Sequence, residues 1–170
     1  MSRLFPDEFV SSIYKINYRR LKDGGIKNLI FDIDNTLVAY NEKHAPEELI
    51  NHFEKLKKMG FKICLVSNNN YKRVTLFNEK LKLDNVYSAM KPLKLGIKRA
   101  MRYLDAENHN TCMIGDQVFT DVLVGSRCGL HTILVKAVIE KDEFSVKFKR
   151  GSERLVLRRY SEYRRGLKQE

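Results

Sequence analysis

The chain is 170 residues long, 43% hydrophobic and 31% charged, with 32 Lys/Arg against 21 Asp/Glu and a formal net charge of +11. That suffices for one ordinary globular domain with a real core, and it excludes a disordered, collagen-like or low-complexity chain. The apolar runs at 63–66 and 132–135 are far too short to span a bilayer, and Pro6, Asp7 and Glu8 interrupt any signal-like N-terminal stretch.

The elements follow in chain order. Residues 5–22 carry Phe9, Ile13 and Ile16 on one stripe, with Val10, Tyr14 and Leu21 close by, which predicts an amphipathic helix ahead of Gly24-Gly25. A first strand is predicted over 28–33, where Leu29, Ile30 and Phe31 lead into Asp32-Ile33-Asp34-Asn35-Thr36. Ala45-Pro46-Glu47-Glu48 reads as a helix start, Leu49, Phe53 and Leu56 as its apolar face, and Gly60 as its stop. A second strand is expected over 61–67, then a helix over 71–83 with Val74, Phe77 and Leu81 on one side. A short strand within 84–90 ends at Lys91-Pro92, because a residue before proline is pushed to extended backbone. A helix over 93–104, a strand over 111–115, a helix over 120–128 capped by Gly129 and a fifth strand over 131–135 complete the alternation. Beyond it, Gly151-Ser152 reads as a turn and N-cap opening a helix to about 165.

Strand and helix alternating through short connections predict an α/β fold, an open and mostly parallel sheet with helices on both faces. The core is expected over 28–136, with an N-terminal lead-in over 1–27 and a basic segment over 137–170. From Lys136 onward eleven Lys/Arg stand against six Asp/Glu, so the positive charge is concentrated there. Such a surplus implies an anionic partner: nucleic acid, an anionic membrane face or a phosphorylated substrate.

In sheets of this kind ligands bind outside the carboxyl ends of the strands. Polar chemistry gathers at those ends: Asp32 and Asp34, then Ser67-Asn68-Asn69-Asn70, then Lys91, then Gly115-Asp116 with Asp121. On extended backbone Asp32 and Asp34 point to the same side, and two anions so close need a cation or a shared proton. The pair reads as a site for a hard metal and for acid/base or nucleophilic work. Cys64, Cys112 and Cys128 are odd in number and unclustered, which predicts reduced thiols in a cytoplasmic protein. His44, His52, His109 and His131 follow no metal-ligand spacing.

This ordered set resembles the haloacid-dehalogenase superfamily of phosphotransferases. Asp32-Ile33-Asp34-Asn35-Thr36 is similar to its first motif, Ser67 to the second, Lys91 to the third, and Gly115-Asp116 with Asp121 to the fourth. The Asp-Asn-Thr variant, the N-terminal lead-in and Gly115-Asp116-Gln117 with Thr120-Asp121 resemble the small subfamily IIIA enzymes called YqeG, a group similar to the mitochondrial phosphatidylglycerophosphate phosphatases. The resemblance implies a Rossmann-like core and a phosphomonoester phosphatase. Asp32 would be the nucleophile that forms an aspartyl-phosphate, and Asp34 the acid for the leaving oxygen and then the base for water. Ser67 and the Asn68 N–H would hold phosphoryl oxygens, Lys91 would offset their charge, and Asn35 and Thr36 would shape the loop or touch substrate. Mg²⁺ is implied, held by Asp32, the Asp34 backbone carbonyl and Asp116, with Asp121 closing the shell directly or through water.

Members of that superfamily often carry a cap inserted between these motifs. Here Asp32 and Ser67 are 35 positions apart and Ser67 and Lys91 are 24 apart, each interval filled by one helix, one strand and short loops. The site is therefore expected to be capless and open, which favours a phosphate on something large: a lipid, a protein or a nucleic-acid end. Resemblance and charge together point to phosphatidylglycerophosphate, with the N-terminal stripe and the basic C-terminal segment resting on the inner face of a membrane. The alternatives are a phosphatase of nucleic-acid ends or another large phosphorylated substrate, and a non-catalytic binding or assembly protein.

Overall fold

Near-continuous apolar runs, buried on both faces, make the central strands of a parallel sheet. In the computed structural model, which describes residues 3–138 and 144–166, those runs are β2 (Asn28–Phe31) and β5 (Thr111–Gly115), every residue of which is buried. Around them lie β1 (Glu8–Val10), β3 (Lys62–Val66), β4 (Asp84–Val86) and β6 (His131–Val135), giving a six-stranded sheet in the order β1-β6-β5-β2-β3-β4. Every pairing is parallel, as short β-α-β connections require.

Alternate residues of each strand feed opposite faces. Leu29, Phe31, Ile63 and Leu65 meet Leu49, Phe53 and Leu56 of α2 (Glu47–Lys58) and Val74 and Phe77 of α3 (Tyr71–Asn78). Ile30, Cys64, Val66 and Met113 meet Ile97, Ala100 and Leu104 of α4 (Lys94–Leu104), with Val124 of α5 (Leu123–Arg127). Register matters most for the site. Phe31 is level with both Leu65 and Ile114, so the strands after which Asp32, Ser67 and Asp116 follow end side by side.

The N-terminal segment departs from the expected helix over 5–22. It forms β1, one 3₁₀ turn at Ile13–Lys15 and a short helix α1 (Tyr18–Asp23), numbered first in chain order. The cause is pairing with β6: the Asp7 N–H donates to the Thr132 carbonyl at 3.0 Å, and the Asp7 carboxylate accepts from both the Thr132 N–H and hydroxyl at 2.8 Å. Of the expected stripe and its neighbours, Ile13, Ile16 and Leu21 are buried in the main core, while Phe9 and Tyr14 are turned out.

At the other end α6 (Phe144–Gly166) runs straight through Gly151 and Ser152 instead of starting there. A mid-helix glycine costs only about 1 kcal/mol, and packing outweighs it. Tyr160 is buried, its ring 5.7 Å from that of Phe5, and Val156 and Leu157 lie against Val118, Val122 and Leu134. Two smaller differences have local causes. α3 stops at Asn78 because its side chain bonds both the N–H and the carbonyl of Leu83. The helix expected from 120 begins as a wide π turn, Val118–Val122, before α5. Cys64, Cys112 and Cys128 are free, the first two buried. Among the described residues no helix is long and apolar enough to cross a membrane.

Candidate active site

Asp32 is the first residue beyond β2, and its N–H still donates to the Ile114 carbonyl at 2.9 Å, so the carboxylate is held by the sheet itself. It is only 5% exposed. Lys91 reaches it from the loop after β4. The Asn68 side chain clamps the Lys91 backbone from both sides, accepting from its N–H at 2.7 Å and donating to its carbonyl at 3.0 Å. Thus fixed, the ammonium sits 2.6 Å from Asp32 Oδ1 and 2.7 Å from Asp121 Oδ1, and donates to the Val66 carbonyl at 3.3 Å. The Thr36 hydroxyl lies on the other side, 3.3 Å from Asp32 Oδ2 and 3.1 Å from Asp116 Oδ1.

Asp121 is brought in by the π turn, with its Oδ2 accepting from the Gln117 N–H at 3.1 Å. Its carboxylate occupies the space where residue 115 would carry a side chain. A Cβ on Gly115 would lie 2.3 Å from Asp121 Cγ, which is why β5 must end in glycine.

Carboxylate oxygens of Asp32, Asp116 and Asp121 all lie within 4.8 Å of one another. Three buried or half-buried carboxyl groups lie together, two of them paired with the Lys91 ammonium, and the acidic surplus shows in their proton affinities. Burial, then the neighbouring Asp32 and Asp121, push Asp116 up to about 8. Burial raises Asp32 to about 6, with Lys91 opposing the rise and Asp121 adding to it. Burial alone would lower Lys91, but Asp121 and Asp32 reverse that and hold it above its ordinary value. Hard oxygen donors with uncompensated negative charge fit a divalent cation such as Mg²⁺.

The Asp34 carboxylate stands apart from this cluster. Its Oδ1 accepts from Arg73 Nη2 at 2.9 Å and Nε at 3.3 Å, and its Oδ2 from Ser67 at 3.4 Å and Asn69 Nδ2 at 3.3 Å. The structure gathers the carboxylates of Asp32, Asp116 and Asp121, while the carboxylate of Asp34, expected at the metal only through its backbone carbonyl, turns toward Arg73. Asp32, Asp34, Ser67, Asn68 and Lys91 line one open cavity of about 360 Å³, together with Asn69, Gln117 and Thr120. Asn35 shapes the loop. It has a left-handed backbone (φ 64°), bonds Val38 through its N–H and accepts from the Val138 N–H at 2.9 Å. Its buried Oδ1 has no hydrogen-bond partner among the described residues.

Arg73 is the member that sequence reasoning missed. The available signal was Asn70, whose side chain caps α3 by accepting from the Arg73 N–H at 3.0 Å and so puts Arg73 in the first turn above the strand ends.

Sequence models described as haloacid dehalogenase-like hydrolase and HAD-hydrolase-like match residues 29–91 and 88–144. The chain is 44% identical over 152 residues to the probable phosphatase YqeG of Bacillus subtilis (strain 168), covering 89% of this chain and 88% of that protein. It is 29% identical to phosphatidylglycerophosphate phosphatase 1, chloroplastic/mitochondrial, of Arabidopsis thaliana, covering 97% of this chain but only 50% of that longer protein. A structure of a putative HAD superfamily (subfamily III A) hydrolase from Legionella pneumophila superposes with a TM-score of 0.53 at 16% identity, over 72% of this chain and 75% of that one, and shares its fold. With carboxylates, lysine and serine brought to one sheet edge, and with a phosphatase relative matched over nearly its whole length, the chain belongs to the haloacid dehalogenase-like hydrolases and is a phosphatase.

Proposed function

We propose that this phosphatase hydrolyses phosphomonoesters with Mg²⁺ through an aspartyl-phosphate on Asp32, and that its substrate is phosphatidylglycerophosphate. The observation that carries the chemistry is the setting of Asp32. One carboxylate oxygen is tied to Lys91, the other lies beside Thr36, and the group faces a cavity shared with Asp34. An Asp32 oxygen attacks phosphorus, the bond from phosphorus to the leaving oxygen breaks, and Asp34 delivers a proton to that oxygen. Water then attacks the aspartyl-phosphate, Asp34 takes its proton, phosphate leaves, and Asp32 is restored. Ser67 and the Asn68 N–H orient the phosphoryl oxygens, and the Lys91 ammonium balances their charge. Asp32, the Asp34 backbone carbonyl and Asp116, with Asp121 directly or through water, would hold Mg²⁺, which would further neutralise those oxygens.

The lipid substrate is supported by the Arabidopsis relative, by a site without an inserted cap, and by the net charge of +11, which suits an anionic surface. Phosphate release should be measured from phosphatidylglycerophosphate in vesicles, from 5′-phosphorylated oligonucleotides and from p-nitrophenyl phosphate, each with Mg²⁺ and with chelator. The lipid should be hydrolysed fastest, only with Mg²⁺, and not by Asp32→Asn. Equal rates on the three substrates would remove the lipid assignment. Turnover undiminished by chelator or by Asp32→Asn would remove the mechanism.

A further inference from the structure

We propose that Tyr71, Tyr87, Met90 and Leu93, at the rim of the active-site mouth, form the surface by which the enzyme docks on an anionic lipid bilayer. This deepens the lipid reading above and rests on it, and it moves the membrane contact from the chain's flanks to the site itself. Tyr71 is 62% exposed, Leu93 56%, Met90 54% and Tyr87 37%. They come in two pairs: the Tyr71 and Tyr87 rings meet edge-on at 5.2 Å, and a turn closed by the Leu93 N–H to the Met90 carbonyl at 2.8 Å carries the other two.

The rim belongs to the segments that build the site. Tyr71 follows Ser67, Asn68 and Asn69, while Tyr87, Met90 and Leu93 flank Lys91. The two segments are tied by Ser88 N–H to the Asn69 carbonyl at 2.8 Å and by Ala89 N–H to the Ser67 carbonyl at 3.0 Å. Ser88 (φ 46°) and Met90 (φ 54°) lie in the left-handed region, uncommon for a residue as large as methionine. That backbone turns Lys91 inward to Asp32 and leaves Met90 in solvent.

Charge selects the partner. Residues 67–78 and 85–104 contain no Asp or Glu, in a chain that has 21, and beyond Arg73 and Lys91, which pair with site aspartates, they carry five Lys/Arg. Lys72 and Lys94 are exposed beside the rim, and Arg127, also exposed, donates to the Pro92 carbonyl at 3.3 Å. Exposed aliphatic side chains, tyrosines with a polar tip and flanking lysines without any acid suit the headgroup region of a negatively charged membrane. Docked there, a substrate phosphate would meet Asp32 without an inserted cap to close the site.

The sequence contains no tryptophan, so Leu93→Trp in the full chain is a probe of one position. Its emission should shift to the blue and be quenched by brominated acyl chains on vesicles of phosphatidylglycerol and phosphatidylcholine, and should not change with phosphatidylcholine alone. In a second protein Leu93→Ser is combined with Tyr71→Ser, two exposed positions outside the lining of the cavity. That variant should lose at least about fivefold in sedimentation with the anionic vesicles while keeping its p-nitrophenyl phosphate turnover. No sedimentation of the wild-type protein with anionic vesicles would overturn the proposal. So would vesicle binding with unchanged tryptophan emission, blue-shifted emission only on self-association or with an oligonucleotide, or full binding by the double variant. These vesicles carry no phosphomonoester, so docking and substrate are judged separately. Fast hydrolysis of phosphatidylglycerophosphate without docking would sink this inference and spare the substrate. Docking without preferential hydrolysis would do the reverse.

Discussion

The two carboxylates of the first motif stand two residues apart and live in different surroundings. Asp32 is 5% exposed, shares the Lys91 ammonium with Asp121 and lies close to Asp116, an arrangement of fixed groups with an acidic surplus. The Asp34 side chain is 22% exposed, faces the cavity, and is held by an arginine and two small polar groups. A buried, overdetermined half suits a group that must stay in place for in-line attack. A half open to the cavity suits one that must meet a leaving group and then water. The contrast says which half of the site should tolerate change.

The largest effects are expected in the buried half. Asp32→Asn should lower p-nitrophenyl phosphate turnover by about a thousandfold or more, as loss of a nucleophile does, while leaving the fold intact by circular dichroism. Gly115→Ala tests the same half through its packing. The added methyl must displace the Asp121 carboxylate it would meet at 2.3 Å, so we expect a destabilisation of about 1–3 kcal/mol and weaker Mg²⁺ binding by calorimetry. A variant as stable and as tight as the wild type would mean that Asp121 has no fixed place in the cluster.

Arg73→Ala probes the open half. It removes the guanidinium that holds Asp34 and should reduce kcat by about ten- to a hundredfold, with Arg73→Gln recovering part of the loss. An effect as large as that of Asp32→Asn would erase the distinction between the halves.

The smallest effect is a pH dependence of metal binding. Asp116, raised to about 8 by burial and by its anionic neighbours, holds a proton below that pH and must give it up to a cation. Mg²⁺ affinity should therefore fall with falling pH, by up to about tenfold per unit between pH 8 and 6, and binding should release protons, visible in calorimetry across buffers. The same sign governs folding without metal. A carboxyl raised in the native state contributes stability that is complete below its unfolded value near 4 and is lost as pH rises toward 8. The midpoint of thermal unfolding should show that loss without Mg²⁺ and much less of it with Mg²⁺.

Much of this arrangement could be read from the amino-acid order. In a parallel sheet the strand ends lie on one edge, so acids, a hydroxyl and a lysine at those ends must approach one another whatever the details. What escaped is non-local or directional. β1 is three residues long, and its partner Thr132 lies 125 positions from Asp7, a pairing that no local periodicity announces. Ile13, Ile16 and Leu21 gave a helical pattern because they are core residues, although only Leu21 lies in α1. Gly151-Ser152 looked like a helix start, yet packing of Tyr160, Val156 and Leu157 carries the helix past it. Asn70 as a cap could place Arg73 in the first turn of α3, but where that turn points is not stated by a sequence pattern.

The central claim is that Asp32 accepts the phosphoryl group. In Asp34→Asn a substrate with a good leaving group can still load the nucleophile, but water is no longer activated to unload it. After acid quenching of that variant with p-nitrophenyl phosphate and Mg²⁺, mass spectrometry should find one added phosphoryl group, on the peptide that contains Asp32. A phosphoryl group on any other residue, or none from a variant that still turns over, would contradict the account.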